Sequence, residues 1–182
     1  MFSRLKRLVF RWRFQRAKSD DIDRANVIVV QAYSRSRDGK DAGQANAMLA
    51  TYARMLQEEF GYLILSMTEI ELADPDLRVL ATYRGHTGGH STHDCNTYTI
   101  AEFHAEYCRK CDFRRVVLVA SSDHIGRCKW VYERLGLEGL PFSVDIDACM
   151  SSDYLHWSHR TRMRFVVREF CVRLMFLAKG YI

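Results

Sequence analysis

The sequence predicts an α/β chain: a three-layer sandwich whose sheet is mostly parallel, of about five strands, with helices on both faces. Three observations lead there. Apolar, β-branched runs such as "ANVIVVQAY" (25–33) and "RRVVLVAS" (114–121) show no polar alternation, as strands buried on both faces do. Segments with apolar residues at helical spacing lie between such runs. The connections are short, and strands alternating with helices over short connections form parallel sheets covered on each face. The expected architecture is Rossmann-like.

The elements follow in order. Residues 1–20 read as a basic amphipathic helix, with Phe2, Leu5, Leu8, Val9 and Trp12 on one face and Arg4, Arg7, Arg11 and Lys18 on another. Residues 21–182 form one α/β domain, since 182 residues suit a single core. After the strand at 25–33 and a polar loop, Ala45, Met48, Leu49, Tyr52, Met55 and Leu56 define a helix that Gly61 stops. "YLILSM" (62–67) is the next strand and "RVLATY" (78–83) a third. Residues 97–110 are helical, with Ile100, Phe103, His104 and Tyr107 on one stripe. "DHIGRCKWVYERLG" is a helix ended by Gly136, "FSVDID" (142–147) a short strand, and 155–179 a final helix. That helix contains the most apolar stretch, "FVVREFCVRLMFLAKG", but Arg168, Glu169 and Arg173 break it well short of the roughly 18–20 apolar residues of a membrane span.

Charge is unevenly placed. Residues 1–18 hold seven Lys/Arg and no acid, and 160–182 hold six basic residues against Glu169 alone. Residues 19–159 carry 14 basic against 21 acidic residues, a net −7. The chain is an acidic body with two basic ends. Charges throughout the N-terminus occupy the place of an apolar signal core, so the six cysteines are expected as reduced thiols and the protein as cytoplasmic.

Chemistry in such a sheet belongs beyond the carboxyl ends of the strands, where helix N-termini converge. Two loops there are rich. In "SSDHIGR", Ser122 or Asp123 can cap the next helix, which sets His124 and Arg127 three apart on one face. In "RGHTGGHSTHDCNTYTIAE" (84–102), Asn96 and Thr97 enter a helix supported by a Thr99–Glu102 capping box. Helix N-termini favour anions. Arg127 would clamp one, Asn96, Thr97, Ser122 and Asp123 would orient it, and His124, with an ordinary pKa of about 6.5, is the candidate general acid or base.

The pair "NTYTIAE" and "VVLVASSDHIGRCKWVYERLGL" resembles the YdcF/ElyC/SanA-like family of bacterial α/β domains. Asn96, Thr97, His124 and Arg127 fall on that family's motif positions, and Glu169 on the place of a glutamate in its final helix. The likeness spans about residues 25–175. It implies a Rossmann-like domain and a nucleotide-like ligand, with S-adenosylmethionine suggested for one branch. The chain departs from the family where glycines usually follow the first two strands, here "QAYSRSRDG" and "SMTE".

Other signals compete. His86, His90, His93 and Cys95 offer zinc-type ligands, but their spacing matches no established motif and the glycines around them give no rigid frame. Cys108 and Cys111 form C-x-x-C at the end of a helix, where the dipole favours the thiol, so they read as helix-surface cysteines. The basic arm suits self-packing, self-association or an anionic surface at the periphery of the inner membrane, with nucleic acid ranked last. The leading expectation is a binder of a small anionic ligand. The alternatives are a non-catalytic, membrane-associated interaction protein with a vestigial pocket, and a metal-dependent hydrolase using the histidine loop.

Overall fold

The computed structural model describes residues 14–33, 41–85, 96–151 and 157–182. Five strands form one parallel sheet: β1 (Val27–Val30), β2 (Ile64–Met67), β3 (Val79–Tyr83), β4 (Arg115–Ser121) and β5 (Glu138–Val144), in the order β3-β2-β1-β4-β5. The helices are α1 (Ser19–Ile22), α2 (Gln44–Phe60), α3 (Thr68–Ala73), α4 (Thr97–Lys110), α5 (Ile125–Arg134) and α6 (Arg162–Ala178), with short 3-10 turns at Asp147–Cys149 and Trp157–His159.

β1 is central because its four residues are all apolar and fully buried, with register Val27↔Val116 through Val30↔Val119 against β4. Successive side chains point to opposite faces. Ile28 and Val30 therefore pack with Leu49, Ala53 and Leu56 of α2 and Ile70 of α3. Val27 and Val29 pack with Ala101 and Ala105 of α4, Ile125 and Val131 of α5 and Phe176 of α6. The three-layer sandwich follows from that alternation. Gly61 ends α2 in the left-handed region at φ 74°, a conformation that costs glycine no Cβ clash, and its N–H bonds to the Gln57 carbonyl.

Two expected boundaries move, and one helix is added. β5 begins at Glu138, not 142, because Gly139, Leu140 and Pro141 pair with Val116, Val117 and Leu118. Proline is tolerated there because β5 is an edge strand and the ring nitrogen needs no partner on the open side. α6 begins at Arg162, where the Thr161 hydroxyl caps the Arg164 N–H, rather than at 155. α3, a single apolar-acidic turn after β2, had no clear sequence signal.

The arm also differs where it is described. Residues 14–18 are not helical, and Arg16 and Ala17 lie against the open edge of β5. The Ala17 N–H donates to the Pro141 carbonyl at 2.8 Å, and Arg16 donates to the Ser143 carbonyl at 2.8 Å while lying over the Phe142 ring. Backbone groups on an unpaired edge attract extended chain, and this outcompetes helix for these residues. Within the described part of the expected helix, Ser19 and Asp20 alone are helical, opening the Ser19–Ile22 turn. Residues 1–13 lie outside the described residues. Among the described residues, no helix is long and apolar enough to cross a membrane.

Candidate functional site

The strand order has one reversal point. From β1 the chain winds outward through β2 to β3, then returns to β4 on the other side of β1, so the switch lies between β1 and β4. Connections diverge there and leave a crevice at the carboxyl ends of the strands. Gln31 to Tyr33 leave β1 at this edge, and Ser121 to His124 leave β4. Ser122 ties the β4 loop to β5: its N–H and hydroxyl both donate to the Val144 carbonyl, at 2.9 and 3.1 Å. His124 then occupies the N-cap position of α5 without making a side-chain cap bond. Neither Ser122 nor Asp123 caps the helix, contrary to expectation. Ser122 is spent on β5, and the Asp123 carboxylate meets Arg162 at 3.4 Å.

His124 and Arg127 do share one environment, and its hub lies on the final helix. Glu169 is fully buried, 3.6 Å from His124 Nδ1, with its Oε2 2.9 Å from Arg127 Nη2 and its Oε1 accepting from Arg173 Nε at 3.0 Å. The Arg127–Oε2 approach is a close charge contact without hydrogen-bond alignment, because Oε2 and Arg127 Nε both lack a hydrogen-bond partner. Arg173, also fully buried, donates to the Asp123 carbonyl at 3.3 Å and stacks on Trp130.

The electrostatics follow from geometry. Burial alone would raise the Glu169 pKa, but Arg127, then His124 and Arg173, outweigh it and hold the carboxyl at about 2. Burial first, and the Arg127 charge second, push His124 down to about 4. Arg127 Nη2 lies 3.0 Å from His124 Nδ1. A guanidinium only donates, so Nδ1 is the acceptor and the ring proton sits on Nε2. His124 is thus a neutral N–H donor at pH 7. The argument from an ordinary pKa near 6.5 fails in the folded chain, because burial beside a guanidinium removes the proton.

A third cation stands close by. Arg168 is half-buried, its pKa lowered by burial and by Arg127, and it makes no ion pair among the described residues. Arg127 and Arg173 therefore share one carboxylate, and Arg168 adds a further positive charge near them. The Ser121 hydroxyl is buried without a hydrogen-bond partner and lines a small cavity with Tyr33, Asp123 and Phe165. A wider cleft of about 150 Å³ opens beside Ser122, Asp145, Asp147 and Arg162. The chain leaves β1 and β3 at this same edge toward residues 34–40 and 86–95, which lie outside the described residues.

At α4, Asn96 accepts from the Tyr98 and Thr99 N–H groups at 2.8 and 3.2 Å, and the Thr99 hydroxyl accepts from the Asn96 N–H at 3.2 Å. The capping box is Asn96–Thr99, one turn earlier than Thr99–Glu102, because Asn96 is the last extended residue. Thr97 is buried in the first turn. The metal-ligand candidates His86, His90, His93 and Cys95 lie outside the described residues, among which no group of three metal-type ligands converges. Cys108 is not a surface thiol: it is fully buried beneath α4, and burial pushes its pKa up to about 12. Cys111, at the helix end, is exposed.

Sequence reading did not find a polar chain that crosses the core between α4 and α5. Gln31 Nε2 donates to the Tyr132 hydroxyl at 2.8 Å, and that hydroxyl lies 2.6 Å from His104 Nδ1. His104 Nε2 donates to the Ser66 carbonyl at 3.1 Å. The carbonyl fixes the tautomer, so the Tyr132 O–H donates to Nδ1. Burial holds His104 neutral, with a pKa of about 4. His104 falls on an apolar stripe, and nothing local distinguishes a bonded core histidine from a stray polar residue.

Comparisons with family models, curated proteins and solved structures give no match.

Proposed function

We propose that this chain binds a small anionic, nucleotide-like ligand in the crevice between the carboxyl ends of β1 and β4. The observation that supports this most is the concentration of positive charge at the switch point: Arg127 and Arg173 share the Glu169 carboxylate, and half-buried Arg168 beside them has no ion pair among the described residues. A desolvated cation without a counter-charge is costly, and an anion from solution would offset that cost. The unpartnered Ser121 hydroxyl and Arg127 Nε, and the Nε2–H of His124, are donors with capacity left for it. The N-terminal dipole of α5 has the matching sign.

His124 is proposed as the catalytic group only with that ligand present. An anion against Nε2 would draw the imidazole pKa back up from about 4 toward neutrality. Asn96 and Thr97 contribute through α4, whose first turn they build, rather than through a free side chain. The resemblance to YdcF-like domains adds S-adenosylmethionine, a nucleoside sulfonium whose only anionic group is its carboxylate, to the phosphate-bearing nucleotides worth trying.

A thermal-shift panel of nucleotides, S-adenosylmethionine and sugar phosphates tests the reading. A ligand at 100 times its dissociation constant adds about 2.7 kcal/mol. Arg168→Gln is the diagnostic variant, since Arg168 supports no ion pair among the described residues and its loss should leave unligated stability nearly unchanged. The expected result is a stabilising compound whose effect Arg168→Gln weakens. A panel without any shift, or shifts unaltered in both Arg168→Gln and His124→Gln, would count against an anion site here. The alternative of a membrane-associated interaction protein draws on a different part of α6.

A further inference from the structure

α6 is built inside out. Its inward face holds Glu169 and Arg173, both fully buried, between Phe165 and Phe176. Its outward face is apolar apart from Arg164 near its start. Met163 is 74% exposed, Val167 52%, Leu174 43% and Met175 42%. These are four of the seven large apolar side chains most exposed among the described residues, so the patch belongs to this helix and not to the surface at large. At 3.6 residues per turn they fall, with exposed Cys171 and Ala178, within an arc of about 120° along a helix roughly 25 Å long. Contiguous apolar surface of this kind marks a contact site.

We propose that the outward face of α6 lies on an anionic membrane surface. Charge selects this occupant. The exposed or half-exposed ionic side chains of residues 160–182 are all cationic: Arg160, Arg162, Arg164, Arg168 and Lys179. The one acid in that stretch, Glu169, is buried. Arg162 is engaged by Asp123 and Asp147 and Arg168 belongs to the ligand site, but Arg164 and Lys179 make no ion pair among the described residues. A second copy of this chain would bring the same cations against themselves. The segment 1–13 would bring five more basic residues and no acid. An anionic bilayer instead matches the charge and accepts a convex, grooveless row of methionine, valine and leucine into its headgroup boundary. The sequence of residues 1–13, basic and apolar, offers a second signal of the same chemistry, and peripheral binding is stable when two weak signals combine. This inference stands apart from the ligand site.

Vesicle co-sedimentation decides it. Full-length protein is mixed with phosphatidylcholine vesicles containing about a third phosphatidylglycerol, and separately with pure phosphatidylcholine. Val167→Glu/Leu174→Glu is compared with Met55→Glu, which alters an equally exposed apolar residue on α2, and with deletion of residues 1–13. All four proteins are checked by circular dichroism and size-exclusion chromatography. The wild type is expected to bind the anionic vesicles selectively. That binding should weaken as ionic strength rises from about 0.1 M to about 1 M, where screening shortens from about 10 Å to about 3 Å. The α6 double variant should lose about tenfold or more in partitioning, Met55→Glu should not, and the arm deletion should keep part of the binding. Wild-type binding undiminished in the folded double variant overturns the proposal, as does an absence of vesicle binding. A dimer that the double variant splits, with vesicle binding unchanged, assigns the face to a second copy and overturns it as well.

Discussion

Acidification from pH 7 to about pH 5 should destabilise this fold steeply, through two histidines that it holds neutral. His104 and His124 are both lowered from 6.5 to about 4 by burial, with Arg127 as the second cause for His124. Both have folded pKa values below the unfolded one, so the unfolded chain binds more protons between these limits. Their contribution is complete above pH 6.5 and is lost as pH falls through 6.5 toward 4. At about pH 5 each has forfeited roughly 2 kcal/mol, and the pair about 4 kcal/mol, out of the 5–15 kcal/mol typical of a domain. Glu169, lowered from 4.5 to about 2, has the same sign but acts only below pH 4.5, so it does not confuse the upper window. Urea unfolding at about pH 7, 6 and 5 reads the slope, which should reach about 2–3 kcal/mol per unit near pH 5, or roughly 1 per imidazole. His104→Gln and His124→Gln should each remove about one share of that slope, whatever they do to absolute stability. The ring proton resonances of both histidines should stay untitrated above about pH 5. A flat profile between pH 6.5 and 5, or variant slopes equal to wild type, would refute the assignment of neutral buried imidazoles.

Two further outcomes rest on single contacts. Glu169→Gln removes the carboxylate that Arg127 and Arg173 share, leaving buried guanidiniums without a counter-charge. Thermal or urea unfolding should show a loss of about 3–5 kcal/mol, partly restored by added phosphate if the site takes anions; a loss below about 1 kcal/mol would mean the cluster is solvated in solution. Asn96→Ala strips the cap from α4 and should cost about 1 kcal/mol. The same variant should leave ligand-induced stabilisation almost intact, because the Asn96 side chain is already committed to its helix; loss of the ligand effect alone would give Asn96 a direct binding role.

The sequence by itself determined the sheet, its helical layers and the edge where chemistry gathers. Runs such as Val27–Val30 and Val116–Ala120 can be buried only as strands covered on both sides, and the Gly61 stop and the apolar spacing of α2 are local signals. His124 and Arg127 were legible as neighbours because three residues on a helix place them on one face. Their state was not. The neutral imidazole and the shared carboxylate depend on Glu169 and Arg173, which follow Arg127 by 42 and 46 positions and reach it only when α6 packs across the first turn of α5. Read as a wheel, α6 would put its charges in water and Met163, Val167 and Leu174 inward. Tertiary packing reverses this, because a carboxylate and guanidiniums that satisfy one another can be buried together while a convex apolar face is left outside. Periodicity records which residues share a face. Which face is buried is decided by the partners that the rest of the chain supplies.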